Sequence, residues 1–96
     1  DYSPLTDVTA MLFEARDAGG YAASKPLVAP PGARWSYSSG TTNILCRAMR
    51  ETLGAEAYAA FPRAALFDRI GARSLRIEPD SAGVFVGSSF GWATAR

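Results

Sequence analysis

The 96-residue chain has no histidine, a single cysteine and a single lysine. Without histidine, these residues cannot form a Ser-His-Asp triad or a Cys-His nucleophile pair. The ligand clusters that zinc sites need are missing too, so no metal and no cofactor is implied. Cys46 alone excludes an internal disulfide. Its place beside Leu45 in an apolar helical pattern is that of a small buried hydrophobe. No apolar run approaches the roughly 20 residues that cross a bilayer. The opening Asp1-Tyr2-Ser3-Pro4 lacks the basic start and apolar core of a signal peptide. An excess of one charge sign is also lacking. Ten basic and nine acidic residues leave a net charge of +1, which gives no footprint for nucleic acid or an anionic membrane. Arg47, Arg50, Arg63, Arg69, Arg73 and Arg76 alternate with Glu51, Glu56, Asp68, Glu78 and Asp80, as on a solvated mixed-charge face.

What is present suits one soluble globular domain, 48% apolar and 20% charged. Thr6-Asp7 reads as a helix start, Val8, Met11, Leu12 and Ala15 as its apolar face, and Gly19-Gly20 as its stop. A loop from Lys25 to Gly32 holds Pro26, Pro30 and Pro31 and is stiff and extended. Ile44, Leu45, Ala48, Met49 and Leu53 predict a helical stripe, with Met49 as core filling and Gly54 as the end. A further helical region spans 56–70, with Pro62 forcing a kink or starting a second helix, and Gly71 stopping it. Leu75 and Ile77 alternate with Arg76 and Glu78 as a short strand. Pro79 to Gly83 is turn chemistry and Val84-Phe85-Val86 a return strand. Residues 87–92 read as loop, and Thr94 as a helix cap. The fold class predicted is mainly α with a short β-hairpin: a single unit over 1–96, helical over 1–73, hairpin and loop over 74–96.

Chemistry concentrates at Tyr37-Ser38-Ser39-Gly40, where the proline-rich loop meets a helix start. A tyrosine there has its ring held by structure while its hydroxyl can face a cleft. With cationic neighbours its phenol, of ordinary pKa about 10, can serve as a general base. The alternative is that Tyr37 packs its ring and Ser38 or Ser39 caps the helix. Trp35 and the three-proline loop are expected to support Tyr37 as a buried, rigid brace.

The run from Pro30 to Leu45, Pro-Pro-Gly-Ala-Arg-Trp-Ser-Tyr-Ser-Ser-Gly-Thr-Thr-Asn-Ile-Leu, resembles the tyrosine-motif region of serine beta-lactamase-related hydrolases. These include class C beta-lactamases, D-alanyl-D-alanine peptidases (penicillin-binding-protein-like), esterases and 6-aminohexanoate-dimer hydrolases. The likeness extends to Leu66-Phe67-Asp68-Arg69-Ile70-Gly71-Ala72, to Asp80-Ser81-Ala82-Gly83, and to Gly87 through Thr94. It implies a helical subdomain of a beta-lactamase-like α/β serine hydrolase. Such an enzyme cleaves an amide or ester through an acyl-enzyme, with Tyr37 catalytic and Ser39 substrate-binding. Where class C enzymes place an asparagine, Ser39 offers a shorter hydroxyl, which favours an esterase, peptidase or amino-acid-oligomer amidase over a true beta-lactamase.

The family's Ser-x-x-Lys nucleophile motif is absent, since Lys25 is preceded three positions back by Ala22. Its Lys-Thr-Gly or His-x-Gly strand is absent as well. The resemblance therefore reads this chain as a middle piece of a longer bacterial-type enzyme, cytoplasmic or periplasmic, carrying one wall of its active site and inactive alone. Such a piece exposes apolar surface and is expected to self-associate. Its one other partner would be a small-molecule amide or ester; neither nucleic acid nor membrane is implied. The competing reading is a non-catalytic interaction module whose aromatic residues Trp35, Tyr37, Phe90 and Trp92 form a binding patch.

Overall fold

The computed structural model describes residues 7–95. The chain is mainly helical, with one small antiparallel pairing. Helix α1 spans Asp7–Phe13, α2 Ala18–Ala23, α3 Ser39–Leu53 and α4 Ala55–Pro62, and a π-helical turn follows over Arg63–Phe67. Strand β1 (Arg76–Ile77) pairs antiparallel with β2 (Gly91–Trp92). The expected capping by Thr6 lies outside the described residues.

Gly19 and Gly20 do not stop a helix. The first helix ends at Phe13, and both glycines lie inside α2. The reason is packing. A Cβ on Gly19 would lie 2.8 Å from the Asn43 carbonyl oxygen and 2.9 Å from the Arg47 Cβ. Only a bare Cα lets α2 approach α3 this closely. The six residues of α2 are too few to persist alone, and two carboxylates complete the helix. Asp17 caps it, with Oδ1 accepting from the Gly20 N–H at 2.8 Å. Asp80 reaches from far along the chain, its Oδ2 accepting from the Ala18 N–H at 2.9 Å.

The other oxygen of Asp80 organises its own turn, accepting from the N–H groups of Ala82 at 2.9 Å and Val84 at 3.0 Å. The predicted turn over 79–83 is thus present, with Gly83 at φ +79°. The expected return strand Val84-Phe85-Val86 is reduced to an isolated bridge between Pro79 and Phe85. The strand partner of 76–77 is instead 91–92, within the stretch read as loop. Phe90 makes this possible by adopting φ +62°, uncommon for a non-glycine residue. It turns the chain so that its carbonyl accepts from the Glu78 N–H at 3.1 Å. Thr94 caps no described helix; its N–H donates to the Ser74 Oγ at 3.1 Å.

Helix α3 keeps its predicted extent and its end at Gly54, which takes φ +85°. Its orientation departs from expectation. The face turned inward carries Asn43, fully buried, while Ile44, Leu45, Met49 and Leu53 are exposed. Close packing of α2 against the Asn43–Arg47 face decides this, and Met49 is not core filling. Pro62 ends α4 rather than starting a helix. The chain passes into the π-helical turn, closed by the Asp68 N–H donating to the Arg63 carbonyl at 2.9 Å. The described core gathers Met11, Ala18, Tyr58, Phe67, Val84 and Val86. Tyr58 stacks on Phe85 at 4.6 Å between ring centroids, and its hydroxyl accepts from the Phe85 N–H at 2.9 Å.

Two consequences are measurable. Gly19→Ala should destabilise the chain by about 1 to 3 kcal/mol, the range for overpacking, seen as a lower urea midpoint with unchanged slope. Burial, foremost, raises the Tyr58 pKa above 10. The native state therefore holds its phenolic proton more tightly than the unfolded chain. The stability this group contributes is complete below about pH 10 and disappears as pH rises through the raised native value. Tyr58→Phe should flatten that alkaline decline in a pH series of urea melts.

Candidate functional site

Tyr37 stands at the last extended stretch before α3. Ser38 follows it as the N-cap residue, with φ −152° and ψ 131°, and α3 begins at Ser39. The Ser38 side chain makes no capping hydrogen bond. The first-turn amides of α3 therefore lack the side-chain acceptor that serine commonly provides.

Tyr37 is 81% exposed. Among the described residues, its hydroxyl has no hydrogen-bond partner and its ring stacks on no other. Trp35, expected to brace it from within, is itself 85% exposed. An extended chain sends alternate side chains to opposite sides. Trp35 and Tyr37 accordingly share the outer side, whereas Ser36 and Ser38 line a groove on the other. Ser39 is half-buried and does not line that groove.

The groove, about 560 Å³, runs between α1, α2, the proline-rich loop and the start of α3. Met11 is buried at its base, and Tyr21, Leu27, Val28 and Ile44 contribute apolar walls. Lys25, Ser36, Ser38 and Thr41 supply the polar groups. Gly40 adjoins α2 so closely that a Cβ there would lie 3.2 Å from the Ala22 Cβ. Lys25 holds its Nζ 4.6 Å above the centre of the Tyr21 ring. Sequence reasoning passed over Tyr21, Leu27 and Val28. The one available signal was an apolar Leu-Val pair inside a loop of prolines, where a solvated connector would be polar.

A second depression, about 250 Å³, is lined by Cys46, Met49, Tyr58, Phe61, Leu66 and Phe67 among others and has an entirely apolar surface. Buried Asn43 donates from Nδ2 to the Ser88 Oγ at 3.3 Å, while its Oδ1 has no partner among the described residues. The same residues contain no group of three or more His, Cys, Asp or Glu side chains able to hold a metal ion. No described helix is long and apolar enough to cross a membrane.

Comparison with protein-family models, with curated proteins and with solved structures finds no match to this chain.

The exposure of the two aromatic residues fixes what their loss should do. Trp35→Ala should cost under about 1 kcal/mol, not the 3 to 5 kcal/mol of a buried aromatic. Tyr37→Phe should be equally mild. Denaturant midpoints for both variants check this, and a larger loss for Tyr37→Phe would make its hydroxyl a structural group.

Proposed function

We propose that this chain forms the tyrosine-bearing wall of a serine hydrolase of the beta-lactamase-related type, acting on an amide or ester through an acyl-enzyme. The observation that carries the reading is the setting of Tyr37. Its hydroxyl is held at a loop-to-helix junction, exposed and committed to no structural hydrogen bond among the described residues. A structural tyrosine of this size is ordinarily buried and bonded, as Tyr58 is. An exposed, unbonded phenol is available to groups supplied by another wall. In this reading a serine and a lysine from outside the described residues face Tyr37. Tyr37 manages the proton as the serine attacks the carbonyl, and Ser39 orients the substrate or the lysine by an ordinary hydrogen bond.

The apolar residues exposed on α3 and around it fit the same reading, since Leu45, Met49, Phe61 and Leu66 would meet a neighbouring domain. They also support the second reading, a non-catalytic interaction module. Catalysis separates the two. The 96-residue chain alone should hydrolyse no chromogenic ester or lactam. In an enzyme completed by an upstream Ser-x-x-Lys, Tyr37→Phe should lower kcat by about 10²- to 10⁴-fold with KM little changed. Ser39→Ala should cost roughly 2- to 13-fold, the worth of one neutral hydrogen bond. Steady-state kinetics on both variants measures this, and a Tyr37→Phe enzyme with most of its kcat would refute the hydrolase role.

A further inference from the structure

We infer that the outer face of α3, α4 and the π-helical turn is where two copies of this chain pack together, as an isologous dimer. The inference does not involve the Tyr37 side chain and stands apart from its role. On α3, Leu45, Met49 and Leu53 recur every four residues and so form one stripe, and all three are exposed. Met49, Phe61 and Leu66 line the apolar depression of about 250 Å³ beside that stripe. Helix α4 carries one charged residue, Glu56, among its eight, and Tyr58 is its one buried side chain. A helix so apolar is ordinarily covered. In the single chain it is not.

Area and charge select a second copy as the cover. The chain exposes 7098 Å², whereas a folded monomer of 10.2 kDa exposes about 5,300 Å². The surplus of about 1,800 Å² exceeds the roughly 800 Å² that each partner gives to a standard interface. Residues 39–70 hold Arg47, Arg50, Arg63 and Arg69 beside Glu51, Glu56 and Asp68. A strongly acidic or basic partner meets no complementary field there, while two copies, each of net charge +1, barely repel. The face also carries both halves of a fit. Leu45 is 64% exposed and does not line the depression. A two-fold axis sets the Leu45 of each copy at the depression of the other, so one contact is made twice.

Sedimentation equilibrium of the 96-residue chain, from about 1 to about 200 μM, tests this. A monomer–dimer equilibrium is expected, with a Kd of about 1 to 50 μM and a limiting mass twice 10.2 kDa. Leu45→Glu on α3 and Leu66→Glu on the π-helical turn should each raise that Kd at least about tenfold, a charge having been placed in an apolar contact. Both positions are exposed, at 64% and 52%, so folding does not need them. Leu27→Glu, 79% exposed in the proline-rich loop and outside the depression, should leave the Kd unchanged. In a mixture of isotope-labelled and unlabelled chains, the Leu45 methyl groups should show intermolecular NOEs to Phe61 or Leu66. The inference is overturned by a monomer throughout the range, by assembly that continues past the dimer, by Leu45→Glu leaving the Kd unchanged, by Leu27→Glu raising it as much, or by NOEs centred on another face. Far-UV circular dichroism checks the fold of each variant, and the NOEs of the unaltered chain decide should a variant unfold. A persistent monomer refutes the dimer and leaves the hydrolase reading standing, since that reading concerns Tyr37.

Discussion

The carboxylate of Asp80 joins parts of the chain that local structure could not bring together. One oxygen holds the amide of Ala18 and the other those of Ala82 and Val84. A second stitch runs beside it, from the Ala82 N–H to the Arg16 carbonyl at 3.2 Å. Between them these bonds fix the N-terminus of α2 against the turn over 79–83. With α2 so fixed, Gly19 can seat against α3, and Arg47 closes the junction by approaching Asp17 at 3.5 Å. The groove follows from that placement, because α2 supplies one of its walls. A residue 62 positions from Ala18 thus anchors the helix that walls the groove beside Tyr37.

The use of polar contacts to orient α3 carries a cost in apolar exposure. Packing through Gly19, Asn43 and Arg47 turns Leu45 and Met49 outward. Burial of apolar area is the main driving force of folding, so a helix that shows its apolar stripe to solvent has spent its packing on something else. Here the gain is position: α3, with Tyr37 just ahead of its first turn, is seated closely against α2. The Phe13 and Phe90 rings, at 5.8 Å and edge to face, extend the same junction toward β2.

The sequence made some of this legible for identifiable reasons. The extent of α3 could be read because propensity, a serine-rich start and a closing Gly54 all agree. The turn over 79–83 could be read because proline, aspartate and glycine occupy the positions such a turn requires. Gly19 was misread because a glycine needed for close approach looks identical, in sequence, to one that ends a helix. The pairing of 76–77 with 91–92 was hidden behind Phe90, whose left-handed backbone no propensity favours. As for the site, the exposed junction position of Tyr37 follows from its motif, but the exposure of Trp35 does not, since aromatic residues in small domains are commonly buried. The groove was not legible at all. It is assembled from four segments, α1, α2, the proline-rich loop and the start of α3, and Asp80 bonds to the first residue of one of them.

Helix α2 illustrates what borrowed order implies. Six residues supply hardly more than one turn of internal hydrogen bonding, and its stability is on loan from its neighbours. Regions of this kind open independently of the global transition. The amides of α2 should therefore exchange with solvent as a small cooperative unit together with the turn over 79–83, ahead of those in α3 and α4. The wall formed by Tyr21 and Ala22 would then be a hinged one, opening on the timescale of local unfolding and not of side-chain rotation.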